Sequence, residues 1–248
     1  MLAYADREKY LGDRDFVSVP VAGLIDPAYL AGRSRLISPS RSLARYEAGS
    51  PPGAQPRTAA ISGEVAGTTH FVASDGDGDV ATMTSTVEGP FGSQLVAEGM
   101  VLNNELTDFT FAPEKDGAPV ANRVEAGKRP LSSMSPTIVY DASGRVVLAL
   151  GSAGGKRIIM HVAKTLIGVM DFGLSAQDAI ALPNIYFGDG KVLVERDTAL
   201  AAMAPAMSRL GREVVPSDVT SKVNAIEWTT AGWRGAADPR SEGLALAE

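Results

Sequence analysis

The sequence contains no cysteine. That excludes a disulfide framework and thiol chemistry, and leaves cytoplasm and periplasm equally open. Histidine is almost as scarce, with only His70 and His161. Neither has a second histidine or a suitably spaced acid near it, which argues against a metal site. No run approaches the roughly 18 apolar residues that a membrane-spanning helix requires. Met1 to Lys9 holds Asp6, Arg7, Glu8 and Lys9 but no apolar stretch, so no signal peptide is visible. Lysine- and arginine-rich blocks are missing too, and the net charge of −6 argues against nucleic acid as a partner.

What is present is ordinary globular material. The chain has 248 residues, 45% apolar and 21% charged, enough for one large domain or two small ones around a sizeable core. Asp26-Pro27 is a helix start, with the helix expected to run through Leu36. Residues 38–66 are rich in Pro, Ser, Gly, Ala and Arg without periodicity and read as a flexible linker. Further on, strands are expected over Thr137–Tyr140 and Val146–Leu150, followed by a glycine-rich loop. The helix after it carries Ile159, Val162, Leu166, Ile167 and Met170 at helical spacing and contains His161, read as structural. A short helix stops at Leu182-Pro183, and a hairpin turns at Asp189-Gly190. A helix carrying Leu200, Met203, Ala204, Met207 and Leu210 closes at Gly211. Strands over Glu213–Val215 and Asn224–Gly235 finish the chain, the latter holding Trp228 and Trp233 as sheet aromatics. The mixture indicates an α+β fold, a sheet covered by helices.

The most informative stretch is Gly67–Ser74 with its partner Val80–Thr86. Both runs are rich in β-branched residues, and the connecting Asp75-Gly76-Asp77-Gly78-Asp79 supplies turn residues, so the two read as a hairpin. The aspartates do not form an EF-hand loop, because Val80 and Thr86 stand where glycine and glutamate are needed. Threonine pairs in strands ordinarily reflect β-propensity. A threonine becomes an acyl-transfer nucleophile when a base takes its proton, and a chain-terminal threonine carries that base as its own amine. Such an enzyme must first cut its chain there, and Gly67 would let the backbone bend at the scissile bond.

Several landmarks share an order and spacing with the γ-glutamyltranspeptidase family. These are Thr68-Thr69-His70-Phe71, Leu102-Asn103-Asn104-Glu105 with Asp108-Phe109, Lys128 through Pro136, Gly151-Ser152-Ala153-Gly154-Gly155, and Asp238-Pro239-Arg240. The chain resembles that family, a branch of the N-terminal-nucleophile hydrolases, across its last 180 or so residues. The resemblance implies part of an αββα sandwich. It also implies a division into residues 1–67, the tail of a large subunit whose remainder has no counterpart here, and residues 68–248, the small catalytic subunit.

By this resemblance Thr68 is the nucleophile and Gly67–Thr68 the self-cleavage site, while Thr86 hydrogen-bonds the nucleophile. Gly154 and Gly155 match the family's oxyanion donors, and their place between strand and helix start offers unhindered N–H groups. The loop is no Walker motif. Ser132 and Ser133 match the pair holding the donor's α-carboxylate, and Glu105 and Asp108 match the acids holding its α-ammonium. Opposite charges near 4 Å attract by about 4 kcal/mol at an effective dielectric of ~20, before desolvation, so two carboxylates select for an amino-bearing donor.

Glu88 departs from the asparagine usual in the family, and the resemblance implies that a third carboxylate there either binds the donor's ammonium more tightly or reshapes donor preference. The family's arginine that pairs with the α-carboxylate lies in the absent portion of the large subunit. The short loop from Thr110 to Gly127 argues against a long lid.

The implied activity is γ-glutamyl transfer and hydrolysis, with glutathione as the usual donor and water, an amino acid or a peptide as acceptor. No cofactor and no metal are expected. The expected partners are the donor, the acceptor and the rest of the large subunit, with neither nucleic acid nor membrane. Location is periplasmic or extracellular by resemblance, and cytoplasmic if Met1 is the true start. The alternatives are a truncated, inactive fragment and a related amide acylase; retention of Glu105 and Asp108 speaks against an acylase.

Overall fold

Helix formation begins at the amino end, where the computed structural model places α1 (Leu2–Tyr10), α2 (Val21–Leu24) and α3 (Pro27–Ser34). The structure describes residues 1–59, 67–188 and 190–247. Asp26 caps α3: its carboxylate accepts the Tyr29 N–H at 2.8 Å, and Pro27 fills the first helical turn, where no N–H is needed. The helix ends at Ser34, two residues short of the expected limit.

Residues 38–59 hold no helix or strand, yet they are tied down. Tyr10 donates its hydroxyl to the Gly49 carbonyl at 2.7 Å, and the Gly49 N–H donates to the Asp6 carboxylate at 2.7 Å. The Arg212 guanidinium donates to the Leu43 and Ala44 carbonyls. Composition alone made this stretch a flexible linker, because the side chains that hold it come from distant parts of the chain. Residues 60–66 of that expected linker lie outside the described residues.

The chain continues through β1 (Thr68–Ser74), β2 (Val80–Thr86), β3 (Val96–Ala97) and β4 (Met100–Val101). A 3-10 turn (Glu105–Asp108) precedes β5 (Glu114–Lys115) and β6 (Ala118–Pro119). The pairs β3–β4 and β5–β6 are two-residue hairpins that no alternation announces. Then come β7 (Thr137–Tyr140), β8 (Val146–Ala153), α4 (Ile158–Met170), α5 (Ala176–Ala181), β9 (Ile185–Gly188) and β10 (Lys191–Glu195). The last elements are α6 (Ala199–Ala202), α7 (Ala204–Ser208), β11 (Val214–Ser217), β12 (Lys222–Thr229) and β13 (Gly232–Ala237). The single helix expected from Leu200 to Leu210 is thus two short ones. Pro205 has no N–H to offer the Ala201 carbonyl, so the helical ladder cannot pass it. The run Asn224–Gly235 belongs to two strands, with Trp228 and Trp233 opposed across them edge to face at 5.2 Å.

The described residues form two compact units. The first comprises residues 1–59, 105–132 and 205–213; the second comprises 67–104, 133–204 and 214–247. Within the first, Asp13 accepts both the Arg129 N–H and its guanidinium at 2.7–2.9 Å. Within the second, β13-β12-β8-β7 make an antiparallel sheet. Helices α4 and α5 cover one face of it and the β1–β2 hairpin packs on the other, against β8 and β12. A second sheet, β11-β10-β9, combines a parallel with an antiparallel pair. A helix layer and two stacked strand layers are the αββα arrangement in part, as the resemblance implies.

Strand β8 is buried on both faces, and its residues sort by alternation. Leu148 and Leu150 join Ile158, Val162, Ala176, Ile180, Val223, Ala225 and Ala236 in the core beneath the helices. The alternate positions, Ala149, Gly151 and Ala153, are small and let the hairpin approach. A Cβ on Gly151 would sit 2.3–2.8 Å from three atoms of the His70 ring. His70, in β1, is buried, and its ring nitrogens meet Thr84 Oγ1 at 2.9 Å and Thr82 Oγ1 at 3.3 Å. Its carbonyl accepts the Asn224 Nδ2 amide at 2.8 Å, from the strand that pairs Asn224 with Gly151.

The carboxyl end of α5 is held by two cations. Lys164 Nζ donates to the Ile180 and Leu182 carbonyls and to Asn184 Oδ1, and burial lowers its pKa to about 8. Arg240 donates to the Ile180, Ala181 and Leu182 carbonyls while pairing with Glu195 and Asp238. The Asp238-Pro239-Arg240 landmark is therefore a structural staple.

Two outcomes follow for stability. Gly151→Ala drives a methyl group into the His70 ring and is expected to cost about 1–3 kcal/mol in chemical denaturation; an unchanged midpoint would contradict this packing. Burial pushes the pKa of both His70 and His161 down to about 4 from 6.5. The unfolded chain takes up these protons near pH 6.5 while the folded one resists until near 4. Stability is thus full above 6.5 and declines as pH falls through that window. Urea titrations at several pH values should show the decline, and His70→Gln should flatten it; a pH-independent midpoint would refute it.

Candidate active site

The antiparallel register of β1 and β2 runs without a break and sets Thr68 directly opposite Thr86. The two hydroxyls meet: Thr68 Oγ1 donates to Thr86 Oγ1 at 3.0 Å. The Glu88 N–H donates to the same Thr86 oxygen at 2.8 Å, and Thr86 in turn points its hydroxyl at the Gly67 carbonyl, 3.4 Å away. Thr86 therefore links the candidate nucleophile to the carbonyl of the bond ahead of it. Gly67 is dictated by space. A Cβ there would fall 2.3 Å from the Glu88 carbonyl oxygen and 2.5 Å from that of Gly89.

Glu88 is 3% exposed and holds a positive φ of 70°, a region costly for a residue with a side chain. Asn104 secures this turn from three sides. Its Nδ2 donates to the Glu88 carboxylate, its Oδ1 accepts the Gly89 N–H at 2.8 Å, and its own N–H donates to the Val87 carbonyl at 3.1 Å. Sequence reasoning gave Asn104 no role beyond a landmark; its one signal was its place beside Glu105.

Gly154 and Gly155 follow β8 directly and adopt φ of +132° and +57°, which side chains rarely tolerate. A 3-10 turn (Gly155–Arg157) then feeds α4. Under the loop lies a buried polar pair. Ser152 Oγ donates to the Ala153 carbonyl at 2.9 Å and meets His161 Nδ1 at 3.1 Å. The His161 ring is 2% exposed, and its Cε1 lies 3.3 Å from where a Gly154 Cβ would be. No local pattern marks this pair, since one member is on a strand and the other on a helix.

Thr68, Thr86, Glu88 and Asn104 thus come together at one end of the hairpin. The hairpin rests on β8 through His70 and Gly151, two residues from Thr68 and three from Gly154 respectively. Ser133 is buried in this same unit. Glu105, Asp108 and Ser132 belong to the other unit. Glu105 and Asp108 are the two ends of the 3-10 turn; Asp108 is buried, and Asn122 Nδ2 donates to its carbonyl at 2.7 Å. Ser132 is exposed. Among the described residues, no group of three or more histidines and acids is placed to hold a metal, and no helix is long and apolar enough to cross a membrane.

A family profile described as Gamma-glutamyltranspeptidase matches residues 1–248. The chain is 34% identical to a glutathione hydrolase proenzyme of Bacillus subtilis over 99% of its own length and 43% of that protein's. It is also 34% identical to an Acylase ACY 1 proenzyme of Pseudomonas sp., over 99% of this chain and 42% of the relative. The chain therefore spans less than half the length of these curated relatives. A solved structure of a γ-glutamyltranspeptidase mutant from Pseudomonas nitroreducens superposes with a TM-score of 0.63 at 31% identity, covering 73% of this chain and 98% of that one. A profile match along the whole chain, with relatives above 30% identity and the implied layers observed, settles the classification: this chain belongs to the γ-glutamyltranspeptidase family.

Proposed function

We propose that this chain carries the nucleophilic part of an enzyme that transfers γ-glutamyl groups to water or to amines, with Thr68 as the attacking residue. One observation carries the reading: the Thr68 hydroxyl is fixed at 3.0 Å on Thr86, directly after a glycine whose carbonyl Thr86 also faces. In the uncut chain the Thr68 oxygen attacks the Gly67 carbonyl carbon, and the Thr86 hydroxyl is aimed at the oxygen that gains charge. The Thr68 hydroxyl proton passes to the leaving nitrogen as the peptide C–N bond breaks and the Gly67 acyl group becomes an ester on Thr68. Water then hydrolyses that ester, leaving a Gly67 carboxylate and a free Thr68 amine.

That amine is then the base. It takes the Thr68 hydroxyl proton as the oxygen attacks the donor's γ-carbonyl, and returns it to the departing amine. Water or an acceptor amine displaces the resulting γ-glutamyl ester. Gly154 and Gly155 N–H groups stabilise the tetrahedral oxyanion, and removal of one such donor costs roughly 10²–10³ in rate. Glu105 and Asp108 are assigned to the donor's α-ammonium, Ser132 and Ser133 to its α-carboxylate, and glutathione is the donor expected. The 181 residues from Thr68 to Glu248 make up 73% of the 248, the same share of this chain that the solved P. nitroreducens chain covers. Solved γ-glutamyltranspeptidase chains that cover 70–73% of this chain at nearly their whole length support a division of about this size, and the cut is assigned before Thr68, between residues 1–67 and 68–248.

A second reading is an amide acylase of different acyl preference. It is favoured by the equal identity to the Acylase ACY 1 proenzyme and by Glu88, whose carboxylate is engaged by Asn104. Turnover of a glutaryl amide in preference to the γ-glutamyl one would select it.

The test is intact mass analysis of the purified protein together with release of p-nitroaniline from γ-glutamyl-p-nitroanilide. A new amino terminus at Thr68 and measurable release are expected, and Thr68→Ala should abolish both. Gly67→Ala should slow the cut severely, because its methyl group meets backbone on the far side. Undiminished cutting and turnover in Thr68→Ala would overturn the assignment.

A further inference from the structure

The pair beneath the glycine loop is not used by any step above. Ser152 lies on the helix-facing side of β8, by alternation with Leu148 and Leu150, and is fully buried. Its hydroxyl has a single hydrogen, which it donates to the Ala153 carbonyl at 2.9 Å. The 3.1 Å contact with His161 then requires the imidazole to donate from Nδ1, and this assigns the tautomer from the network. The carbonyl is thus held by the pair: the serine hydroxyl donates to it, and the imidazole, beside the serine oxygen, also hydrogen-bonds the Ala153 backbone.

That carbonyl belongs to the peptide whose other end is the Gly154 N–H. The peptide unit is planar and trans, so its C=O and N–H point in opposite directions. Anchoring the oxygen on the helix side aims the N–H away from the helix layer. Gly154 cannot supply this control itself, since a glycine at φ +132° has wide conformational freedom. The ring below it closes the space into which the loop would otherwise relax.

We propose that Ser152 and His161 are positioning residues for the reaction, locking the Ala153–Gly154 peptide plane so that the Gly154 N–H is held ready for the oxyanion. The proposal rests on the reading of Gly154 and Gly155 as oxyanion donors. It assigns a catalytic consequence to two side chains that are not themselves oxyanion donors.

The test uses the protein as its gene encodes it, with Ser152→Ala, Ser152→Thr, His161→Leu and His161→Asn. Two readouts are taken: kcat and KM on γ-glutamyl-p-nitroanilide, and hydrogen–deuterium exchange of the peptide containing Gly154 and Gly155. Ser152→Ala is expected to lower kcat by at least ~10-fold with KM within about twofold, a misaimed donor costing less than the roughly 10²–10³ of a missing one. Exchange at the loop should accelerate, and Ser152→Thr, which keeps the hydroxyl, should restore both. Should Ser152→Ala fail to fold, His161→Leu against the donor-retaining His161→Asn decides by the same criteria. Unchanged kcat, or unchanged exchange, overturns the proposal. A parent protein that releases no p-nitroaniline contradicts the γ-glutamyl reading instead. Exchange alone then decides here, faster exchange supporting the lock and unaltered exchange refuting it.

Discussion

The pairing register of one hairpin governs the geometry of the candidate site. Sliding β1 against β2 by one residue would turn Thr68 to the other face and bring Ser85 or Val87 opposite it. The register is held by packing and by hydrogen bonds on the buried side. His70 fits over the bare backbone of Gly151 and is gripped by Thr82 and Thr84, while Asn224 holds its carbonyl. The threonine-rich composition of β2 therefore has two uses. Thr82 and Thr84 satisfy a buried imidazole, and Thr86, next along the same face, meets Thr68 at the hairpin's open end.

A second constraint acts at that end. The chain after Thr86 turns through Glu88 at positive φ, with Asn104 bonded to three successive residues of the turn. The turn brings the Glu88 N–H to Thr86 and places the Glu88 and Gly89 carbonyls where any side chain at position 67 would collide. Strain at Glu88, glycine at 67 and the orientation of the Thr86 hydroxyl are thus one arrangement. Local backbone strain of this kind persists only where the surroundings over-determine it.

Much of this was legible in the sequence, and the rest was not for identifiable reasons. The hairpin, α4 and the layered class could be read from alternation, helical spacing and turn residues. The interrupted helix at Pro205 was visible in principle, but the spacing of Leu200, Met203, Met207 and Leu210 outweighed a single proline. The anchoring of residues 38–59 was invisible, because Asp6, Tyr10 and Arg212 reach it from afar. At the site, Thr68, Thr86 and Glu88 are also singled out by family likeness, and hydrogen bonds through Thr86 bring the three together. Glu105, Asp108 and Ser132 were nominated by family likeness and lie in the other unit. Asn104 and Ser152 stood only as landmarks and His161 only as a structural residue, since their significance lies in hydrogen bonds between elements.

At the centre stands the claim that the Thr68 oxygen becomes acylated during turnover. Acid quenching of the protein during steady-state hydrolysis of a γ-glutamyl anilide, followed by peptide mass mapping, reads this directly. One glutamyl group is predicted as an ester on the peptide beginning at Thr68. A glutamyl group on any other side chain, or sustained turnover with no acylated peptide at Thr68 even when deacylation is made rate-limiting, would contradict the account.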